Sequence, residues 1–213
     1  MELSPLFSRV QCQPLIQIMI SLHVAITQER VSLVVRSNPS FNLQSLDSLR
    51  ALVRRADEFR VPRHSKMFLW TLYSLRKVSQ DIVNTKFKLL MKFGLTESDI
   101  LTTVRMTPTL LCVSQKELHK KMEFFINEVG LTPSCIAHQP THLLYSLEKR
   151  IIPRFRAVEI LKSKGLCAKL SMLNYLVLPN SKFIKNFVLP NEENAPELLK
   201  IISMADKGDQ QPL

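Results

Sequence analysis

The chain has 213 residues, 46% of them hydrophobic, with 29 Lys and Arg against 18 Asp and Glu for a formal net charge of +11. That apolar content excludes a chain disordered by composition, and four glycines and three tyrosines favour helix over sheet. The longest apolar run, Leu15 to Ile26, is broken by Gln17, Ser21 and His23 and is too short to span a bilayer, so no membrane partner is expected.

Met1–Arg30 combines Ser4, Ser8 and Arg9 with few acids, as an organelle transit peptide does, although Glu2 and the lack of an Arg-rich stripe speak against one. Leu15–Ile26 reads equally as a core helix of a degenerate first repeat. Residues 31–60 form a worn repeat, with Asn38-Pro39, then Ser45, then Leu46, Leu49, Leu52 and Val53 at helical spacing. Arg60 stands where later units have glycine, so a clean left-handed helix end is not expected there. Residues 62–93 carry a thick apolar helix (Met67, Leu69, Trp70, Leu72, Tyr73, Leu75), no proline, Ser74 nearest the expected serine, and a second helix on Val83, Phe87, Leu90 and Met91.

The next two units are the clearest. Gly94-Leu95, Gly130-Leu131 and Gly165-Leu166 recur at 36 and 35 residues. Pro108 leads to Ser114, and Pro140 to Ser146, six residues on in each case. Each unit reads as helix, proline break, serine-led turn, helix, glycine. A fixed period in this range marks a stacked helical repeat. Thr96 and Ser114-x-x-Glu117 are helix starts, and Pro133 and Pro153 suit first helical positions. Leu170–Leu178 and Ser181-Lys182-Phe183 repeat the theme weakly. A short Leu198–Ile202 helix and a polar tail follow, so residues 31–200 are taken as the repeat domain and 201–213 as the tail.

The four cysteines, Cys12, Cys112, Cys135 and Cys167, form no C-x-x-C, and buried, reduced thiols are expected. His138-x-x-x-His142 has the spacing of a metal pair, but Pro140 breaks the helix it needs, so no metal site is expected. Ser146-x-x-Lys149 lacks the partner sequences of a serine nucleophile and reads as a helix cap. Met122, Phe124, Phe125 and Phe155 are read as core. Without a glycine-rich phosphate loop or convergent polar site, no enzyme and no cofactor are expected.

Five strings carry a resemblance. They are Phe93-Gly94-Leu95-Thr96-Glu97, Lys121-Met122-Glu123-Phe124-Phe125, Tyr145-Ser146-Leu147-Glu148-Lys149-Arg150-Ile151-Ile152-Pro153-Arg154, Leu161-Lys162-Ser163-Lys164-Gly165-Leu166 and Lys182-Phe183-Ile184-Lys185-Asn186-Phe187-Val188-Leu189-Pro190. Over roughly Val31 to Leu199 the chain resembles a plant organellar member of the mTERF (mitochondrial transcription termination factor) family. The resemblance implies an all-α superhelical solenoid whose repeats hold two α-helices and a short 3-10 segment. It also implies double-stranded DNA binding on a basic concave surface and a role in transcription termination or initiation in the mitochondrion or, alternatively, the chloroplast. RNA binding in intron splicing is a further reading within the family.

Residues 61–190 carry 20 basic and 8 acidic side chains, an excess that points to a polyanionic partner or simply to a basic solvated surface. The candidate phosphate contacts are Arg76, Lys77, Arg105, Lys116, Lys120, Lys121, Lys149, Arg150, Arg154, Lys182 and Lys185. A monomer is expected. A protein-binding helical scaffold is the reading from another class.

Overall fold

The computed structural model describes residues 46–166 and 172–206. Every regular element among them is helical. They fall into two compact units that divide after residue 115.

The first unit holds α1 (Leu46–Glu58), α2 (Lys66–Lys77), α3 (Gln80–Lys92), α4 (Glu97–Met106) and a 3-10 segment, Pro108–Cys112. Its core joins Leu49, Leu52 and Val53 of α1 to Phe68, Leu69, Leu72 and Leu75 of α2 and to Val83 and Val104. Ser79, not Ser74, starts α3: its hydroxyl accepts from the Ile82 N–H. Ser74 is buried inside α2 and donates to Trp70 O. Along α3 the core position is Leu89 rather than Met91, which is 46% exposed. Thr96 and Asp99 close a capping box at the start of α4.

The second unit holds α5 (Gln115–Glu123), α6 (Pro133–His138), a 3-10 segment Pro140–Leu144, α7 (Ile152–Ser163), α8 (Met172–Val177), α9 (Asn180–Phe183) and α10 (Glu197–Asp206). Wide π turns extend α5 over Phe124–Glu128, precede α7 over Leu147–Ile151, and follow α9 over Ile184–Val188. The turn before α7 has a local cause. Pro153 has no N–H to donate one turn back, and the residues ahead of it bond at the wider spacing, Ile151 N to Ser146 O. Met122 and Phe125 are fully buried, while Phe124 and Phe155 meet edge to face at 5.4 Å on a half-buried rim. α10 runs to Asp206, past the boundary expected at residue 201, and packs on α7.

The proline breaks are alike. Pro108 and Pro140 both open a 3-10 segment and are buried, and the residues before them, Thr107 and Gln139, hold similar extended angles (φ −145°, ψ 72° and φ −132°, ψ 56°). A residue preceding proline avoids the α region, so the first helix of each unit must stop there.

The glycine series is also explained. Gly94, Gly130 and Gly165 have φ of 89°, 75° and 68°. After α3 and α7 the chain closes with paired bonds, Leu95 N to Leu90 O with Gly94 N to Met91 O, and Leu166 N to Leu161 O with Gly165 N to Lys162 O. The leucine of each Gly-Leu pair supplies the outer of those N–H groups. Arg60 takes the same left-handed conformation, φ 54°, without being glycine. The turn is therefore kept in the first unit, with a side chain that strains it.

Candidate nucleic-acid interface

Four successive second helices, α1, α3, α5 and α7, carry a basic side chain on the apolar face. Arg55, Lys86, Lys121 and Arg154 recur at 31, 35 and 33 residues. Lys86, Lys121 and Arg154 are 4%, 5% and 2% exposed. Each sits three or four residues from core positions, as Lys121 does between Leu118 and Phe125.

All four point at the same feature, the carbonyl-rich end of the next segment. Arg55 donates through Nη1 to Leu75 O (3.1 Å) and through Nη2 to Val78 O (3.2 Å), at the end of α2. Lys86 Nζ donates to Leu111 O, at the end of the 3-10 segment. Lys121 Nζ donates to Leu143 O at 2.9 Å. Arg154 donates through Nη1 to Tyr175, Leu176 and Leu178 O and through Nη2 to Asn180 Oδ1. Helix ends leave carbonyls without backbone donors and carry partial negative charge, so a buried cation there is both hydrogen-bonded and electrostatically matched.

Arg150 joins Arg154 at the end of α8. Its Nε donates to Leu176 O (3.3 Å) and its Nη2 to Val177 O (3.1 Å) and Leu178 O (2.8 Å), with the guanidinium 3.8 Å above the Tyr145 ring. Burial pushes the Lys86 and Lys121 ammonium groups below the usual lysine range; for Lys121, Glu117 and Glu148 pull the other way.

These contacts correct part of the sequence reading. Lys121 and Arg154 are inside the protein, and their charge is answered by carbonyls, not by a surface ligand. Arg150 is half-buried and committed to the same carbonyls. Arg105 is half-buried and turns back on α4, donating to Leu101 O and Thr102 Oγ1. His142 is 3% exposed, with Nδ1 2.6 Å from Gln139 O and Nε2 2.9 Å from Leu173 O, so it ties the 3-10 segment to α8. Cys112 and Cys135 are exposed, against the expectation of burial; Cys112 ends a 3-10 segment and Cys135 lies in the first turns of α6. Cys12 and Cys167 fall outside the described residues.

The remaining candidates are at the surface. Lys77 is exposed, with Nζ 2.5 Å from Tyr73 Oη, and Arg76 beside it is half-buried. Lys120 is exposed and bridges Glu117 (3.6 Å) and Glu148 (3.9 Å). Lys116, Lys149, Lys182 and Lys185 are exposed. Three of these form a series: Lys116, Lys149 and Lys182 recur at 33 residues, each near the start of a repeat's second helical segment. Ser146 Oγ accepts from the Lys149 N–H, so that serine is a helix cap.

Lysines at helix starts are unfavourable for the helix itself, because the N-terminal end already carries partial positive charge. The same placement adds side-chain charge to backbone N–H groups, the arrangement that binds anions.

A model of the mTERF family matches residues 6–184. The chain belongs to the mTERF family. Among curated relatives, the transcription termination factor MTERF15, mitochondrial, of Arabidopsis thaliana is 31% identical over 112 residues, covering 52% of this chain and 25% of that protein. The transcription termination factor MTEF18, mitochondrial, of the same plant is 28% identical over 100 residues, covering 47% of this chain and 18% of that protein. The mTERF chain described here thus matches a quarter or less of each relative's length.

The sequence reading missed half-buried Arg55 and buried Lys86 as members of this carbonyl-bound series. The available signal was a basic residue recurring at repeat spacing inside an apolar stripe.

Proposed function

We propose that this mTERF chain binds nucleic acid, double-stranded DNA first, in the mitochondrion, and there regulates transcription. The observation that carries this reading is the exposed series Lys116, Lys149 and Lys182, one lysine at the start of each successive second helical segment. Family membership supports a nucleic-acid role. The relatives' names, both mitochondrial transcription termination factors, support the process and the organelle. Lys120, Lys185, Arg76 and Lys77 extend the candidate set, while Lys121, Arg150 and Arg154 are committed to backbone carbonyls.

The test is binding of the full chain to random duplex DNA and duplex RNA across a salt series. Four to six phosphate contacts on B-DNA predict a slope of log K against log salt of about −4 to −5. A stronger affinity for duplex RNA would move the role to RNA processing. A slope near zero on both duplexes, with the protein folded, would sink the nucleic-acid reading and leave a helical scaffold for a protein partner.

A further inference from the structure

The junction between α1 and the end of α2 opens into a cleft of roughly 430 Å³. Arg55 stands on the α1 wall, Arg76 and Lys77 on the opposite wall, and Ser79 at the entry to α3; no carboxylate lines it. Arg55 uses three of its five guanidinium N–H groups on Leu75 O, Val78 O and Gln80 Oε1, which leaves two unengaged among the described residues. α3 is 13 residues long, so its capped start adds a helix-end partial charge to the three cations.

The next junction is built on the same plan and supplies a contrast. There a cleft of roughly 320 Å³ lies between α3 and residues 112–115. Lys86 occupies the place of Arg55, but its ammonium is given to Leu111 O, and the wall residues are Cys112 and Val113 instead of Arg76 and Lys77. The positive lining of the first cleft is therefore not a by-product of how repeats join. It comes from particular side chains.

We infer that the α1–α2 cleft binds a phosphate group through Arg55, Arg76 and Lys77. Two guanidinium forks at one concave, carboxylate-free place, with the flexible Lys77 stem bringing an ammonium that rests on Tyr73 Oη within reach, suit the several oxygens of a phosphate. The phosphate belongs either to bound nucleic acid, in which case the site rests on the function proposed above, or to a free phosphate compound.

The full chain is titrated with inorganic pyrophosphate, and the fluorescence of Trp70, the chain's one tryptophan, is followed; it lies less than two turns before Arg76 on α2. Duplex DNA binding is measured beside it across a salt series. Both are repeated for the double variant Arg76→Gln with Lys77→Gln, for Ala51→Glu, which keeps all three cations and sets a competing carboxylate one helical turn before Arg55, and for Lys182→Gln. The inference expects saturable pyrophosphate binding, weakened about tenfold or more by the double variant and by Ala51→Glu but not by Lys182→Gln. If the phosphate is that of nucleic acid, the double variant also makes the duplex salt slope shallower by about 1. An unchanged slope with lost pyrophosphate binding supports the site and assigns it to a free phosphate compound. Absent duplex binding with cleft-dependent pyrophosphate binding sinks the proposed function and leaves the site standing. Equal pyrophosphate affinity in wild type and both cleft variants, or none in wild type, overturns the inference.

Discussion

Lys120 and Lys121 are adjacent in the chain and opposite in role. Lys120 is exposed and meets Glu117 and Glu148 in solvent, whereas Lys121 is 5% exposed and meets Leu143 O in the core. The same division runs along the repeats. An inner series, Lys86, Lys121 and Arg154, spends its charge on carbonyls, with half-buried Arg55 doing so in part, and an outer series, Lys116, Lys149 and Lys182, is presented to solvent. Net charge therefore overstates what an mTERF-type array offers a polyanion. Part of it holds the repeats together.

The sharpest break in that division is at Arg154. Arg154→Ala removes a buried side chain together with its bonds to Tyr175 O and Asn180 Oδ1, and leaves Leu176 O and Leu178 O to Arg150 alone, and the expected loss is about 2–4 kcal/mol in urea unfolding. Lys121→Met keeps the stem's packing and strands one carbonyl, so about 1–3 kcal/mol is expected from the same measurement. Helix ends should respond less. An added Cβ at Gly130 meets nothing within 4 Å, so Gly130→Ala costs only the left-handed backbone, about 1 kcal/mol by thermal unfolding. Arg60→Gly relieves that strain and loses some chain entropy, and should leave stability equal or raised by less than about 1 kcal/mol.

The smallest effect concerns pH. Burial holds the Lys121 ammonium below the usual lysine range, so the folded chain releases that proton before the unfolded chain does. Between the two values the unfolded state binds more protons, and this group's contribution to stability rises with pH toward the ordinary lysine value of about 10.4. The stability gap between wild type and Lys121→Met should therefore widen as pH rises through that alkaline window. Parallel curves would mean that burial does not shift the group.

Much of the repeat was legible because its punctuation is chemical. Glycine marks a positive φ, and proline forces its predecessor out of the helix. Even Arg60 was placed in the right slot, although it keeps the left-handed turn it was expected to lose. The serine of the repeat at residues 62–93 was misplaced at Ser74 because no proline there sets the count, and α2 runs on unbroken to Lys77. The candidate interface was less legible. A lysine carries the same charge in a sequence whether carbonyls or water surround it, and only its place on the apolar face separates Lys121 from Lys120. The fold of the second unit's end was partly hidden too, because α8 is stabilised by Arg150 and Arg154 from more than 20 residues earlier.

The most direct measurement compares two variants for both stability and duplex-DNA binding across a salt series. They are Lys116→Ala with Lys149→Ala and Lys182→Ala, and Lys121→Met alone. The division into inner and outer series predicts that the triple variant flattens the salt slope by about 3 while stability stays within about 0.5 kcal/mol. Lys121→Met should do the reverse, lowering stability and leaving the slope unchanged. A slope that follows Lys121 and ignores the three exposed lysines would contradict the account.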